Sequence, residues 1–117
     1  MKPCLNKRIG KIQHVSFGLG GYQNAQLGIS FTLGSDKDGW GVGDFKGNWD
    51  AETIEHSKNC EWTEEERDKS YAETMRYLSK LLRQAKVKDV SELKGIPVEV
   101  TFEGNVLKEW RILEEVL

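Results

Sequence analysis

The chain has few of the residues that mark several large classes of protein. It contains only two cysteines and two prolines in 117 residues, and two cysteines are too few for the disulfide framework of a small secreted domain. No apolar run approaches the ~20 residues that a transmembrane helix needs, and Met1 leads into no apolar signal-peptide core. We therefore expect a cytoplasmic protein in which Cys4 and Cys60 are reduced.

The chain also lacks the basic excess of proteins that bind nucleic acid by bulk charge. Its formal net charge is −2, which argues against binding by overall charge but leaves room for a local basic face. A chain of this length is long enough for one hydrophobic core and too short for two. We expect a single domain over 1–117, with residues 1–8 mobile or at a sheet edge.

Groups for catalysis or metal binding are scarce as well. The chain has two histidines, and no nucleophile lies in a pattern that nominates one of them as its base. The spacing of Cys4, His14, His56 and Cys60 matches no compact zinc module. The glycines at 18–21 are followed by neither the Lys-Ser/Thr pair nor the helix of a phosphate loop. We therefore expect no enzyme, no metal and no cofactor.

The clearest strand is predicted over 25–33. Its apolar residues alternate with polar or small ones, which is the period of a half-buried antiparallel strand. The segment before it, 9–17, changes the parity of its apolar residues halfway along. This change predicts a β-bulge near Gln13 or His14 that lets one strand serve two sides of a curved sheet. Residues 18–24 then form the hairpin loop between the two strands.

Three more strands are predicted around two turns. Residues 34–39 have strong turn chemistry and lead into 39–49, which interleaves four glycines with two tryptophans. Gly104-Asn105 has the composition of a two-residue hairpin turn between the last two strands. In strand four, Val98, Val100 and Phe102 are expected to point inward and Glu99, Thr101 and Glu103 outward. Strand five is expected to return through Val106, Trp110 and Ile112.

One long amphipathic helix is predicted over 63–86. Thr63 and Glu66 have the spacing of a capping box, and the acids behind Thr63 suit the positive end of a helix. A short helical turn capped by Ser91 and ended by Gly95 follows it. The apolar stripe of the long helix is expected at Tyr71, Met75, Leu78, Leu81, Leu82 and Ala85.

The element order β-β-β-α-β-β, with a bent first strand and a glycine-rich third strand, predicts an α+β, mainly β fold. We expect a five-stranded barrel of OB type, with the helix 63–86 between strands three and four. Closure of the barrel would supply the order that the glycine-rich strand lacks by itself. The alternative is an open antiparallel sheet with the helix packed on one face.

An OB-fold binds its ligands across strands two and three and between the loops that flank them. Rings on such a face stack on bases, and lysines lie near the phosphates. The alternative is that Trp40 and Phe45 only close the ends of the barrel, so the direction of the Trp40 ring decides between the two. The candidate ligand-binding residues are Tyr22, Gln23, Asn24, Gln26, Trp40, Asp44, Lys46 and Trp49, with Lys11, Ser30 and Thr32 beside them.

Four segments carry a resemblance to known proteins: Phe17 to Ala25, Gly39 to Phe45, Trp62 to Arg67 and Leu93 to Phe102. Together they resemble a family of small proteins of tailed phages and prophages. The resemblance implies a phage origin and brings no activity with it. The layout is more distantly similar to phage single-stranded DNA-binding proteins of OB type, in which a helix and a final hairpin follow a glycine-rich third strand.

The leading hypothesis is a non-enzymatic, phage-derived module that binds single-stranded nucleic acid in the host cytoplasm. A second is a protein-interaction module that inhibits or adapts a host or phage protein, since an acidic chain suits a basic partner. A third is capture of a small nucleotide by the loop 18–24 in phage counter-defence. No membrane partner is expected, and the glycine-rich strand leaves room for a homodimer.

Overall fold

The computed structural model describes residues 5–20, 26–50 and 63–117. These residues form five strands, one long helix and two short 3-10 helices. Every neighbouring strand pair is antiparallel, and the sheet order is β3-β2-β1-β4-β5. The elements are β1 (Leu5–Gly20), β2 (Gln26–Ser35), β3 (Trp40–Trp49), α1 (Glu64–Ala85), the 3-10 helix Val90–Leu93, β4 (Pro97–Glu103), β5 (Val106–Ile112) and the 3-10 helix Glu114–Val116.

The sheet is a curled half-barrel with the strand order of an OB-fold. In a closed barrel of this order the two edge strands, β3 and β5, would pair. Here side chains join them, because Nε1 of Trp110 donates a hydrogen bond to Oδ2 of Asp44 over 2.6 Å. The Trp110 ring also packs edge-on against Phe31, with centroids 5.0 Å apart. The sheet is therefore intermediate between the predicted barrel and the open-sheet alternative. We call the gap between β3 and β5 the seam.

The first strand is longer than predicted and serves both halves of the sheet. Its register shifts between Ile12 and His14, which confirms the predicted bulge. Residues 5–11 pair with β4, and residues 11–20 pair with β2. Residues 5–8 are therefore part of the sheet, paired with β4 on one side and with no strand on the other.

A row of three glycines crosses the sheet at one register. Gly18 is opposite Gly28, and Gly28 is opposite Gly47. A Cβ built on Gly28 would lie 2.4 Å from the carbonyl oxygen of Lys46, so no side chain fits there. This row is a crease, and at Gly28 and Gly47 the backbones of β2 and β3 approach more closely than any side chain would allow, whereas a Cβ on Gly18 would meet no atom within 4 Å.

A second crease lies near the other end of the same strands. Gly34 is opposite Gly41, and a Cβ built on Gly34 would lie 2.3 Å from the carbonyl oxygen of Trp40. A Cβ on Gly10 would lie 2.5 Å from the carbonyl oxygen of Gly34. The two creases explain how a flat ladder curls into a half-barrel within ten-residue strands.

The long helix begins and ends where the sequence predicts. The amide of Glu66 donates to Oγ1 of Thr63 over 3.1 Å, and the amide of Thr63 donates to Oε2 of Glu66 over 3.2 Å, which confirms the capping box. Among the described residues, no helix is long and apolar enough to cross a membrane.

The buried stripe of α1 is rotated from the predicted one in its first half. Leu81 and Ala85 are buried as expected, but Met75 is 61% exposed and Thr74 is buried instead. The cause is a polar contact, since Nδ2 of Asn48 in β3 donates to Oγ1 of Thr74 over 2.6 Å. The hydroxyl of Ser70 donates to Oδ1 of the same amide. The prediction that Met75 belongs to the core is therefore wrong.

The β4–β5 hairpin forms at the predicted turn, with Gly104 at φ 64°. Thr101 lies outward as predicted but is only 5% exposed, because Lys7 and Glu109 flank it on the neighbouring strands. Val106 begins β5 and is 70% exposed at the tip of the hairpin. The cap of the 3-10 helix Val90–Leu93 is Asp89 and not Ser91, since Asp89 accepts from the amide of Ser91 over 2.8 Å.

Candidate functional site

Strands β2 and β3 divide their residues between two faces of the sheet. Leu27, Ile29, Phe31 and Leu33 of β2 face the core, and we call this side the inner face. Residues directly opposite each other on antiparallel strands share a face. The register therefore assigns Trp40, Val42, Asp44, Lys46 and Asn48 of β3 to the inner face, and Gly41, Gly43, Phe45, Gly47 and Trp49 to the outer face.

The predicted ligand-binding residues are split by this division. Gln26 and Trp49 are opposite each other on the outer face. Trp40, Asp44 and Lys46 leave β3 on the inner side, so the expectation of one continuous face is wrong for these three. The remaining predicted site residues, Tyr22, Gln23 and Asn24, lie outside the described residues.

The Trp40 ring points inward. A Cβ built on Gly10 would lie 2.8 Å from Cζ2 of Trp40, so the ring lies directly against that glycine. The ring also meets Phe102 edge-on, with centroids 5.7 Å apart. The indole is half-buried against the core, so the direction of the ring favours the alternative for Trp40, in which it belongs to the packing of the fold and not to a ligand contact on the outer face.

Asp44 belongs to the seam. Its carboxylate accepts the hydrogen bond of Trp110, and it lies near the half-buried Tyr77 of α1. Burial, and secondarily the negative charge of Asp44, raises the pKa of Tyr77 to about 12. These three residues tie β3, β5 and α1 together, which is a structural task on the inner side. Lys46 is exposed on the same side.

The outer face of β1, β2 and β3 carries no carboxylate at any described position, although the chain has 19 acidic residues. Its side chains are small, hydroxylated, aromatic or basic. Lys11 and His14 are exposed and lie along the β1 side of the face. The outer face consists of Lys11, His14, Ser16, Gly18 and Gly20 from β1, Gln26, Gly28, Ser30, Thr32 and Gly34 from β2, and Gly41, Gly43, Phe45, Gly47 and Trp49 from β3.

Phe45 occupies the middle of the outer face. It is opposite Ser30 in the register. A Cβ built on Gly20 would lie 3.8 Å from Cε2 of Phe45 and 3.9 Å from Oγ of Ser30, although Gly20 is itself opposite Gln26. The end of β1 therefore approaches one edge of the Phe45 ring on the outer face. Sequence reasoning gave Phe45 only the role of barrel closure, although its odd-numbered position already put it beside Trp49.

Two glycines of the outer face have no steric reason to be glycine. The nearest atom to a Cβ built on Gly41 or Gly43 would be a carbonyl oxygen at 3.8 Å, an ordinary van der Waals contact. Both residues are exposed. Beside Phe45, the outer face of β3 is therefore bare backbone at positions where a side chain would fit.

A second exposed feature lies on the inner side at the end of β1. Phe17 is 45% exposed and Leu19 is 62% exposed. They are opposite Ile29 and Leu27, so they belong to the inner face. We call Phe17 and Leu19 the apolar ledge.

The outer face presents aromatic rings, hydroxyl groups and open backbone, with the exposed Lys11 at one side. Among residues 5–20, 26–50 and 63–117, no cluster of three histidine, cysteine or acidic side chains could hold a metal ion. Cys4, His56 and Cys60 lie outside those ranges.

No protein-family model, curated protein or solved structure matches this chain. The resemblance to phage proteins stays a prediction. The proposed function rests on the two faces of the sheet.

Proposed function

We propose that this protein is a non-enzymatic binding module for single-stranded nucleic acid, and that the strand lies on the outer face of β2 and β3. The observation that supports it most is the composition of that face. Two rings stand on bare backbone, and none of the described outward positions carries a carboxylate that would repel phosphates. This is also the side of an OB-type sheet on which oligonucleotides bind.

Phe45 and Trp49 supply the stacking surface. They lie four residues apart on one strand and on one side, which separates them by about 13 Å. Trp49 is 39% exposed, and the glycines between and beyond the rings leave room for bases. Stacking of one base on an aromatic ring contributes about 1–3 kcal/mol and tolerates every base.

Lys11 supplies positive charge to the face, and His14 lies beside it as a polar ring. Both are exposed, and they flank β2 from the β1 side. With about one phosphate neutralised, the logarithm of the affinity falls with the logarithm of salt at a slope of only about −0.7. This shallow slope agrees with a chain whose net charge is −2, because stacking then carries more of the affinity than charge.

A phage or prophage origin and a place in the host cytoplasm complete the proposal. Both come from the sequence resemblance and from composition. A homodimer is compatible with the face, because β3 is an edge strand.

The test is a titration with a thymidine oligonucleotide of about 12 nucleotides, followed by tryptophan fluorescence at two salt concentrations. Trp49→Ala is expected to weaken binding about tenfold, the equivalent of ~1.4 kcal/mol of stacking. Phe17→Ala is the matched control, because it removes a ring of similar exposure from the opposite face. Absence of any binding to the unmodified protein would reject the proposal, and so would equal losses in the two variants.

A protein-interaction module is the second candidate, and the apolar ledge favours it. Phe17 and Leu19 expose apolar surface that the described residues do not cover, and a partner's apolar side chains would bury it. If nucleic acid fails to bind and a purified host or phage partner binds in a manner lost in Phe17→Ala, this candidate replaces the first. Capture of a small nucleotide by 18–24 depends on residues largely outside the described ranges, and a thermal-shift panel of nucleotides would test it.

A further inference from the structure

A small cleft lies beside the first two residues of β3, Trp40 and Gly41, at the open end of the half-barrel. The cleft has a volume of about 170 Å³ and lies beside the β4–β5 turn. Its walls are two half-buried rings, Trp40 and Phe102, and one exposed cation, Arg8. The other lining residues are Asn6, Gly41, Gly104 and Asn105.

The three walls are fixed relative to each other. Trp40 meets Phe102 edge-on at 5.7 Å between centroids, and Cζ of Arg8 lies 5.9 Å from the centroid of the Phe102 ring. That distance is within the range of a cation–π contact, which holds the guanidinium at the cleft while its N–H groups stay open. Gly10 permits this arrangement, because a side chain there would displace the Trp40 ring.

Arg8 differs from the other strand cations around it. Lys7 lies 3.9 Å from a carboxylate oxygen of Glu99, and Arg111 is held by Glu99 and Glu115. Among the described residues, no carboxylate pairs with Arg8. Its fork of N–H donors therefore remains available for an anion at the mouth of the cleft.

The cleft and the outer face meet at Gly41. Gly41 lines the cleft and is also the last bare position of β3 on the outer face. A strand that runs along Trp49, Phe45 and Gly43 would therefore reach the cleft at its end. No bulky side chain stands between them at the described positions of β3, because residues 41 and 43 are glycines.

We propose that this cleft holds the terminal nucleotide of the bound strand, with its base against Trp40 and its terminal phosphate on Arg8. This inference rests on the proposed function for the body of the strand. The chemistry of the cleft is separate from it, because the walls of the cleft are two rings and one guanidinium that lie apart from Phe45 and Trp49.

The experiment compares three thymidine oligonucleotides of about 12 nucleotides: one with a 5′-phosphate, one with a 3′-phosphate and one with neither. One of the phosphorylated forms is expected to bind about tenfold more tightly than the unphosphorylated form, as for one charge-assisted contact. Arg8→Gln is expected to remove that difference, so that the three forms bind to this variant alike. Lys11→Gln is the matched control, since it removes a cation of the outer face and should weaken all three forms alike. Equal melting temperatures of the variants establish that they are folded.

The outcomes separate the two proposals. If all three oligonucleotides bind alike and Arg8→Gln changes nothing, the cleft assignment is rejected while the proposed function stands. If no oligonucleotide binds, the proposed function is rejected, and thymidine monophosphate decides about the cleft. Quenching by the monophosphate that is lost in Arg8→Gln and in Trp40→Phe would support the cleft, and absence of quenching would reject it as well.

Discussion

Trp110 and Asp44 lie 66 residues apart in sequence and share a 2.6 Å hydrogen bond across the seam between β5 and β3. The indole N–H of Trp110 has its partner in that carboxylate, and the Trp110 ring packs on Phe31 of β2. The contact joins the two edge strands, which backbone hydrogen bonds would join in a closed barrel. Asp44 is therefore a stability residue, although its position in a glycine-rich strand resembles that of a ligand contact.

Replacement of Asp44 is expected to destabilise the fold. Asp44→Ala leaves the half-buried indole N–H without its partner and should lower the free energy of unfolding by about 1–3 kcal/mol. Asp44→Asn keeps an acceptor oxygen and should cost less. Urea unfolding of the two variants measures the difference. Equal stability of Asp44→Ala and the unmodified protein would show that the seam does not depend on this contact.

Stability is expected to fall in alkaline solution because of Tyr77. Its pKa is raised from 10.0 to about 12, first by burial and then by Asp44, so the folded protein keeps the phenol proton to a higher pH than the unfolded chain. Between pH 10 and 12 the unfolded chain binds fewer protons, and stability declines by at most about 1.4 kcal/mol per pH unit, lessened by solvent at this half-buried ring. Below that window the contribution is complete.

Melting temperatures across this pH range measure the effect. Tyr77→Phe is the control, because deprotonation of lysines also acts at high pH and that part remains in the variant. A decline of the same steepness in Tyr77→Phe would contradict the assignment to Tyr77.

Two glycines of the same sheet are expected to respond in opposite ways to alanine. Gly28→Ala places a Cβ 2.4 Å from the carbonyl oxygen of Lys46, and the backbone must shift, at a cost of about 1–3 kcal/mol or more. Gly43→Ala meets no atom closer than 3.8 Å and should be neutral or stabilising by about 0.5–1 kcal/mol. Chemical denaturation of both variants tests the crease directly, and similar effects at the two sites would argue against it.

Binding and stability are expected to separate at Gly43. Gly43→Val adds a β-branched side chain that suits a strand and stands on the outer face between Gly41 and Phe45. The variant should keep the melting temperature of the unmodified protein and bind oligonucleotides at least about tenfold more weakly, because a base loses its place beside Phe45. Val106→Ala, on an exposed hairpin tip, controls for a surface change elsewhere. If a folded Gly43→Val protein bound oligonucleotides as tightly as the unmodified protein, the ligand would not lie on this face.

The sequence predicted the architecture well because local signals agreed with one another. The alternation in β2, the bulge near Gln13, the capping box of Thr63 and the Gly104 turn each specify an element from neighbouring residues alone. Their order then leaves few topologies. The predictions of the fold failed where a residue distant in sequence determines which side chains are buried. Met75 is exposed because Asn48 of β3 forms a hydrogen bond with Thr74 and turns that side of the helix toward the sheet.

The candidate site was predicted less well, because successive residues of a strand alternate between the two faces of the sheet. In β3 every second residue belongs to the opposite face, so a set that included both Trp40 and Trp49 had to be divided. The pairing of Gln26 with Trp49 was recoverable from sequence spacing, whereas the inward packing of Trp40 on Gly10 and Phe102 depends on strands far away in the chain. Whether a side chain would fit, which distinguishes Gly28 from Gly43, can be seen only in the folded protein.

The two creases also limit how this chain can change in length. Gly28 and Gly34 in β2 are spaced like Gly47 and Gly41 in β3, so each crease runs straight across both strands. Insertion or deletion of one residue between Gly28 and Gly34 in β2 would move one of these glycines out of its row and place a side chain against a neighbouring backbone. It would also exchange the two faces over the rest of the strand. Variation in chain length is therefore confined to the connections, and a library of insertions should yield folded protein at the 36–39 turn and not between the creases.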